Sequence, residues 1–381
     1  MVPEKQKEDV YGSPIVFWDS FGFSDTHSGI NRYAKNLMGA LKPLGIQPIL
    51  LGDQTSSQLD TLDVGPANLL EQQLVKAKIV WPNISFLKLL NKQSLFPSKG
   101  KKKIYHGLAN INLPFALTKK SGFSYVLTIH DLIPLLQKSG VSTSYKVQFS
   151  YMLPKSIEIS DLIICVSQWT FDLVSERFPG ARNKIVMLPH GILLPNVKST
   201  VKVQHQRKQL LFISRWEPYK GFELIKPLLE KLSAEYQLIV VTNNKGEQFL
   251  NQFAASQMLA NRLKVLRSIP DSELEHLYEN SHLYLHFSRY EGFGLPVWES
   301  LIKGTPALFY KGHACDSLLG SGIALGMEQN CAVEDWVAAI ESWSSYKTSN
   351  DYQSKLSEFL QKQPTWHDTA EKVKALYNSI V

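Results

Sequence analysis

The sequence predicts an α/β protein of two doubly wound, Rossmann-like domains with parallel sheets. Three observations carry this. Short apolar strands alternate with helical patterns along the whole chain. At 381 residues the chain exceeds what one core ordinarily holds. The stretch "LPNVKSTVKVQHQRKQ" (194–209) is polar, lacks an apolar period and reads as a linker. The expected division is residues 1–198, residues 199–364 and a terminal segment, 365–381.

In the first half, "PIVFWDS" is a strand that leads through "FGFSDTHSG" into the helix "INRYAKNLMGALKPLG". Further strands are "QPILL" (47–51), "KIYHG" (103–107), "SYVLTIH" (124–130), "DLIICVS" (161–167) and "KIVMLPHG" (184–191). In the second half, "QLLFISR" (209–215), "YQLIVVT" (236–242), "LKVLRSI" (263–269), "SHLYLHFS" (281–288) and "TPALFY" (305–310) repeat the pattern. The segment 67–92, with Leu, Trp and Phe beside Lys, reads either as an amphipathic helix pair packed on the core or as a surface that lies on a bilayer. Doubly wound sheets bind ligands at the C-terminal ends of their strands, so a cleft between the domains is the expected site.

Composition narrows the function. The hydrophobic fraction of 44% is that of a globular protein. The N-terminal "MVPEKQKEDVYGSP" is polar and no apolar run reaches membrane-spanning length, so the expectation is a cytoplasmic protein. Cys165, Cys315 and Cys331 are odd in number and lack C-x-x-C spacing, which points to free thiols and no zinc site. Residues 1–198 hold 22 Lys and Arg against 14 Asp and Glu, so the net charge of +7 comes from the first half. Runs such as "SKGKKK" and "TKK" are either solvated faces or contacts for an anionic membrane or phosphorylated acceptor; no nucleic-acid motif accompanies them.

The most informative stretch is "RYEGFGLPVWESL" (289–301). Glu291 falls in the loop after a strand and Glu299 in the first turn of a helix that Pro296 opens and Gly304 ends. Gly292 and Gly294 allow close backbone approach, and the helix start presents N–H groups to an anion. Two carboxylates beside an anion site suit a ligand whose phosphates meet backbone while its hydroxyls meet the carboxylates. Nucleotide sugars have that form. Arg215 and Lys220 in "SRWEPYKG" follow a strand and precede a helix, where two cations can flank a diphosphate. His130 ends a strand, as do His106 and His190, and each is otherwise a core histidine. Gly29 opens a helix, as a phosphate contact or a plain turn glycine. "GSGIALG" (320–326) imitates a dinucleotide fingerprint with its third glycine one residue late and no preceding strand. P-loop, zincin and G-x-S-x-G motifs are absent, and so is D-x-D, which leaves a metal-dependent sugar-nucleotide site unsupported.

Taken together, "LFISRWEPYKGFELI", "IPDSELEHLYENSHLYLHFSRYEGFGLPVWESLIKGTP", "LTIHDLIPLL", "ICVSQWT" and "SGINRYAKNL" resemble the retaining glycosyltransferases of family 4, with the two-Rossmann GT-B fold. The resemblance implies that Glu291 contacts donor-sugar hydroxyls and Glu299 the ribose. It implies that Arg215 and Lys220 bind the diphosphate in place of a metal, and that Gly292, Phe293, Gly294 and Leu295 bring backbone N–H groups to phosphate or sugar. Gly29 would close the donor site and His130 would lie near the anomeric carbon. No cofactor and no metal are implied. The combination of "SGINRY" with "HDLIP" looks like the branch that builds bacterial surface glycans, which implies a GDP- or UDP-sugar donor, GDP-mannose first, and a lipid-linked or O-antigen-type glycan acceptor. "PTWHDTAEKVKALYNSIV" looks like the family's C-terminal helix that returns to the first domain, whereas "ACDSLLGSG" departs from the family's acidic loop and leaves Asp316 without a role. Competing expectations are a sugar phosphorylase or sucrose-synthase-like enzyme, told apart by turnover with phosphate or a disaccharide, and a non-catalytic nucleotide-sugar sensor, which would bind donor without releasing sugar.

Overall fold

The structure, a computed structural model, describes residues 14–19, 28–51, 102–111, 113, 122–136, 140–193, 207–254 and 261–381. The 67–92 segment, most of the linker and most of the two lysine runs lie outside the described residues. The chain divides into two compact units: Met1–Leu132, Val147–Gly191 and Trp366–Val381 form one, Ile133–Lys146 and Ile192–Thr365 the other. Among the described residues no helix is long and apolar enough to cross a membrane.

The first unit is built on β1 (Ile15–Asp19), β2 (Ile49–Leu51), β3 (Lys103–Gly107), β4 (Phe123–Ile129), β5 (Leu162–Cys165) and β6 (Ile185–Met187), all parallel, in the order β2-β1-β3-β4-β5-β6. Tyr125 through Ile129 are buried at every position, as in a central strand covered on both faces. The helices of this stretch are α1 (Gly29–Leu41), α2 (Thr143–Ile159) and α3 (Gln168–Arg177). Serines start two of them: Ser28 Oγ accepts from Asn31 N at 3.1 Å and Ser167 Oγ from Thr170 N at 3.1 Å.

The second unit contains β7 (Lys208–Ile213), β8 (Tyr236–Thr242), β9 (Leu263–Arg267), β10 (Leu283–His286), β11 (Ala307–Tyr310) and β12 (Ala324–Met327). These are also all parallel, in the order β12-β11-β10-β7-β8-β9. Its helices are α4 (Ile225–Lys231), α5 (Asn244–Ala254), α6 (Asp271–Asn280), α7 (Leu295–Ile302), α8 (Val333–Trp343) and α9 (Asn350–Gln361). Alternate residues of β7 feed two cores: Leu210 and Phe212 pack with Phe222, Phe287 and Trp336, while Leu211 packs with Tyr284, Trp298 and Tyr352. The sheet starts at β7 and grows toward β9 on one side and, from β10, toward β12 on the other. The turnaround between β7 and β10 is the switch point at which doubly wound sheets open a crevice.

β12 is a strand the sequence pattern does not announce. Within "GSGIALG", Gly320 and Gly322 hold positive φ of 76° and 71°, and the strand follows them. In a dinucleotide fingerprint the strand comes first, so this run is a turn into an edge strand.

Finally, α10 (Trp366–Ser379) belongs to the first unit. Trp366, Ala370, Val373 and Tyr377 form its buried stripe at helical spacing and join Trp18, Tyr33 and Leu37 in one core. The Tyr377 hydroxyl accepts from Trp18 Nε1 at 3.1 Å and lies 2.7 Å from His106 Nδ1, and His106 Nε2 lies 2.8 Å from Thr128 Oγ1.

Candidate functional site

In the second unit, the site grows from the C-terminal ends of β7 and β10. After Ile213 the chain runs through Arg215 into one 3-10 turn, Pro218–Lys220, which stops at Gly221. Gly221 has φ 75°, and a Cβ there would meet the Cβ and carbonyl oxygen of Phe287. Glycine is therefore what lets this loop lie against the end of β10. Arg289 N donates to Tyr219 O at 2.9 Å and ties the two loops together.

That contact brings Lys220 to Glu291. Lys220 Nζ lies 2.6 Å from Glu291 Oε1, with the side chains 17% and 14% exposed. His286, the last residue of β10, adds its Nε2 at 3.0 Å from the same oxygen. Burial alone would raise the Glu291 pKa, but the Lys220 ammonium and then His286 hold it well below the usual carboxylate range. Burial likewise works against the Lys220 charge, and Glu291 more than offsets it, so the ammonium titrates above its ordinary value. The exposed Arg215 is close enough for its charge to oppose that of Lys220. The result is an ionised carboxylate and two cations gathered at the switch point.

Beyond Glu291 the chain turns through Gly294, at φ 80° and ψ 43°, into α7. A Cβ at Gly294 would meet Cys315 Sγ, so the turn is seated directly on the 3-10 segment Ala314–Leu318. The helix starts at Leu295, with Pro296 second, so Glu299 falls in its second turn, not the first. Its Oε2 accepts from Tyr278 Oη at 2.9 Å. The Phe293 ring stacks on Trp298, 5.6 Å away and inclined by 17°, which pins the loop between Gly292 and Gly294. Burial, then Glu291, then Glu299 raise the Tyr284 phenol well above its usual value; both carboxylates therefore act on one buried side chain. Asp316 accepts from Gly312 N at 3.1 and 3.0 Å and serves its own loop.

In the first unit, His130 follows β4. Its backbone N donates to Asn110 Oδ1 at 2.6 Å, and its Nε2 lies 2.8 Å from Leu108 O. A carbonyl only accepts, so Nε2 carries a proton. Burial lowers the His130 pKa to about 4, against the opposing bond to Leu108. Its ring stands edge-on to Tyr33 of α1 at 5.1 Å, and Gly29 is the exposed first residue of that helix. The other strand-end histidines differ. His106 bonds Tyr377 and Thr128 inside the core, and His190 lies against Tyr33 at 4.7 Å and Trp366 at 5.8 Å.

Sequence reasoning overlooked His286, Tyr284 and Tyr278. The signal was present in "SHLYLHFS", where a histidine closes the strand from which the glutamate loop departs.

Two family models match the chain: Glycosyltransferase Family 4 over residues 27–194 and Glycosyl transferases group 1 over residues 196–363. The O-antigen chain mannosyltransferase RfbU of Salmonella typhimurium is 22% identical over 183 residues, 48% of this chain and 50% of that protein. The chain spans about half the length of the curated relatives it matches. Among solved structures, a glycosyltransferase from Rickettsia africae ESF-5 aligns with TM-score 0.71 and 17% identity, over 97% of this chain and 99% of that one. Anabaena Alr3699/HepE in complex with UDP-glucose aligns with TM-score 0.68 and 15% identity, over 96% and 99%.

Proposed function

This chain belongs to the glycosyltransferases of the family 4 and group 1 type, and from that premise we propose that it is a retaining, metal-independent hexosyltransferase. In this reading it moves a sugar from a nucleoside diphosphate, GDP-mannose first, to a lipid-linked or O-antigen-type glycan. The observation that carries the proposal is the buried Lys220–Glu291 pair at the β7/β10 switch point, with Arg215 beside it. In this reading Lys220 and Arg215 stabilise the negative charge that builds on a departing nucleoside diphosphate. Glu291, held ionised, accepts hydrogen bonds from sugar hydroxyls and Glu299 from the ribose. The Gly292–Leu295 turn supplies backbone N–H groups. The acceptor hydroxyl loses its proton to the leaving phosphate on the same face, so no separate carboxylate base is needed. His130 is neutral with its Nε2–H given to Leu108 O, so toward a ligand its Nδ1 would accept a hydrogen bond from a hydroxyl. Mannose is favoured by the relative that is an O-antigen chain mannosyltransferase; a uridine donor is the alternative that the neighbour bound to UDP-glucose suggests.

The test is a calorimetric panel of GDP-, UDP-, ADP- and TDP-sugars with and without chelator. We expect one nucleotide to bind selectively, unchanged by chelator, and to lose affinity in Glu299→Ala. Silence from every nucleotide would remove the donor-site reading, and a requirement for a divalent cation would remove metal independence.

A further inference from the structure

Behind the Lys220–Glu291 pair, His286 is only 2% exposed. Its Nε2 lies 3.0 Å from Glu291 Oε1, and among the described residues Nε2 has no hydrogen-bond partner elsewhere. Its Nδ1 lies 3.2 Å from the Tyr284 hydroxyl, which is also 3.3 Å from Ile213 O. Tyr284 is fully buried, so its single proton must go to one of these two acceptors. Given to Nδ1, it leaves His286 as the Nε2–H tautomer, whose N–H is on the carboxylate side. Given to Ile213 O, it would require Nδ1–H, and a neutral ring would then turn a lone pair toward an ionised carboxylate. The first arrangement avoids that repulsion, as does a doubly protonated ring, and both put an N–H on the carboxylate side.

We propose that His286 is a positioning residue for Glu291: with its tautomer set by Tyr284, it holds Oε1 together with Lys220 and turns Oε2 toward the hydroxyls of a bound sugar. The proposal rests on the reading of Glu291 as the sugar-binding carboxylate. A carboxylate held by one cation can swing about that contact, whereas a second partner on the same oxygen fixes its plane. Recognition of a hydroxyl depends on such placement. His286 touches no ligand atom itself and acts through Glu291.

The experiment is calorimetric titration of wild type, His286→Phe, His286→Gln and Tyr284→Phe with GDP, GDP-mannose, UDP and UDP-glucose. The readout is the Kd of the nucleotide sugar relative to that of its nucleoside diphosphate. In His286→Phe, which keeps an aromatic ring but no ring nitrogen, the nucleotide sugar should weaken about 10- to 100-fold while the nucleoside diphosphate stays within about twofold. His286→Gln returns an N–H donor and should recover part of the loss. Tyr284→Phe removes only the partner that sets the tautomer and should shift the ratio the same way by a smaller factor. An unchanged ratio in His286→Phe, or equal weakening of both ligands, would mark His286 as a core residue and overturn the proposal. If wild type binds none of the four, the sugar-binding reading of Glu291 falls first and the role of His286 falls with it.

Discussion

At the scale of single residues, the Lys220–Glu291 pair makes a prediction that separates stability from function. Removing one partner strands the other charge with little water around it, which destabilises strongly; removing both charges does not. Lys220→Met should lower the stability of the second unit by about 3 kcal/mol, the low end for a buried pair because both side chains keep some exposure. Lys220→Met with Glu291→Gln should regain most of that stability and none of the transfer activity. Urea midpoints of the unit and donor turnover measure the two effects, and a single variant as stable as wild type would refute the argument. The pH window follows from the shift directions. Glu291 is depressed, so its contribution is present above the ordinary carboxylate pKa of about 4.3 and is lost as pH falls through the folded value. Lys220 is raised, so its contribution is present below about 10.4 and is lost as pH rises through the folded value. The pair should therefore stabilise the unit evenly between about pH 5 and 10.

At the scale of elements, two glycines that flank α7 test what the site loop requires. Gly294 and Gly304 both hold positive φ, 80° and 79°, but a Cβ at Gly294 would meet Cys315 Sγ while one at Gly304 meets nothing within 4 Å. Gly304→Ala should cost only the left-handed backbone term, about 1 kcal/mol. Gly294→Ala adds overpacking of about 1–3 kcal/mol and should displace the turn that carries Phe293 and Glu291. Thermal unfolding compares the pair, and donor titration tells whether the turn has moved; equal costs would mean that Cys315 yields freely. These same elements show what the sequence could and could not reveal. The strand before the glutamate loop, the glycine stop at Gly304 and the Arg215–Lys220 loop were legible because each has a local signature: an apolar run, a helix-ending residue, a cation pair after a strand. β12 was not, because "IALG" follows two turn glycines and is too short for an alternation to emerge. The contacts of Glu291 with His286 and of Glu299 with Tyr278 were also hidden. The first depends on the loop after β10 folding back over the end of its own strand and the second on α6 lying beside α7, and neither packing is written in residue spacing.

At the scale of the whole molecule, the chain begins in the first unit and returns to it twice, and the second return is a single helix. Tyr377 of α10 sits at the centre of a buried relay: Trp18 Nε1 donates to its hydroxyl, the hydroxyl faces His106 Nδ1, and His106 Nε2 meets Thr128 Oγ1. Burial drops the His106 pKa to about 3, with His130 adding to the effect, so the ring stays neutral and shares a single N–H between its two hydroxyl partners. Tyr377→Phe keeps the packing but leaves Trp18 Nε1 and His106 Nδ1 each without this hydroxyl, at about 1–3 kcal/mol apiece. A stop after Thr365 goes further and removes Trp366, Ala370, Val373 and Tyr377 from the core that β1, β3 and β4 share. Each unit has its own hydrophobic cores, so the loss should be local. Hydrogen exchange should show β1–β6 opening in both variants, mildly in the first and fully in the second, while β7–β12 keep their protection. A donor panel run on Tyr377→Phe should return wild-type nucleotide affinity, since the cations and carboxylates proposed to hold the donor stand on the other unit. Protection lost equally from both sheets would show instead that the two cores fold as one cooperative body and that α10 is needed by both.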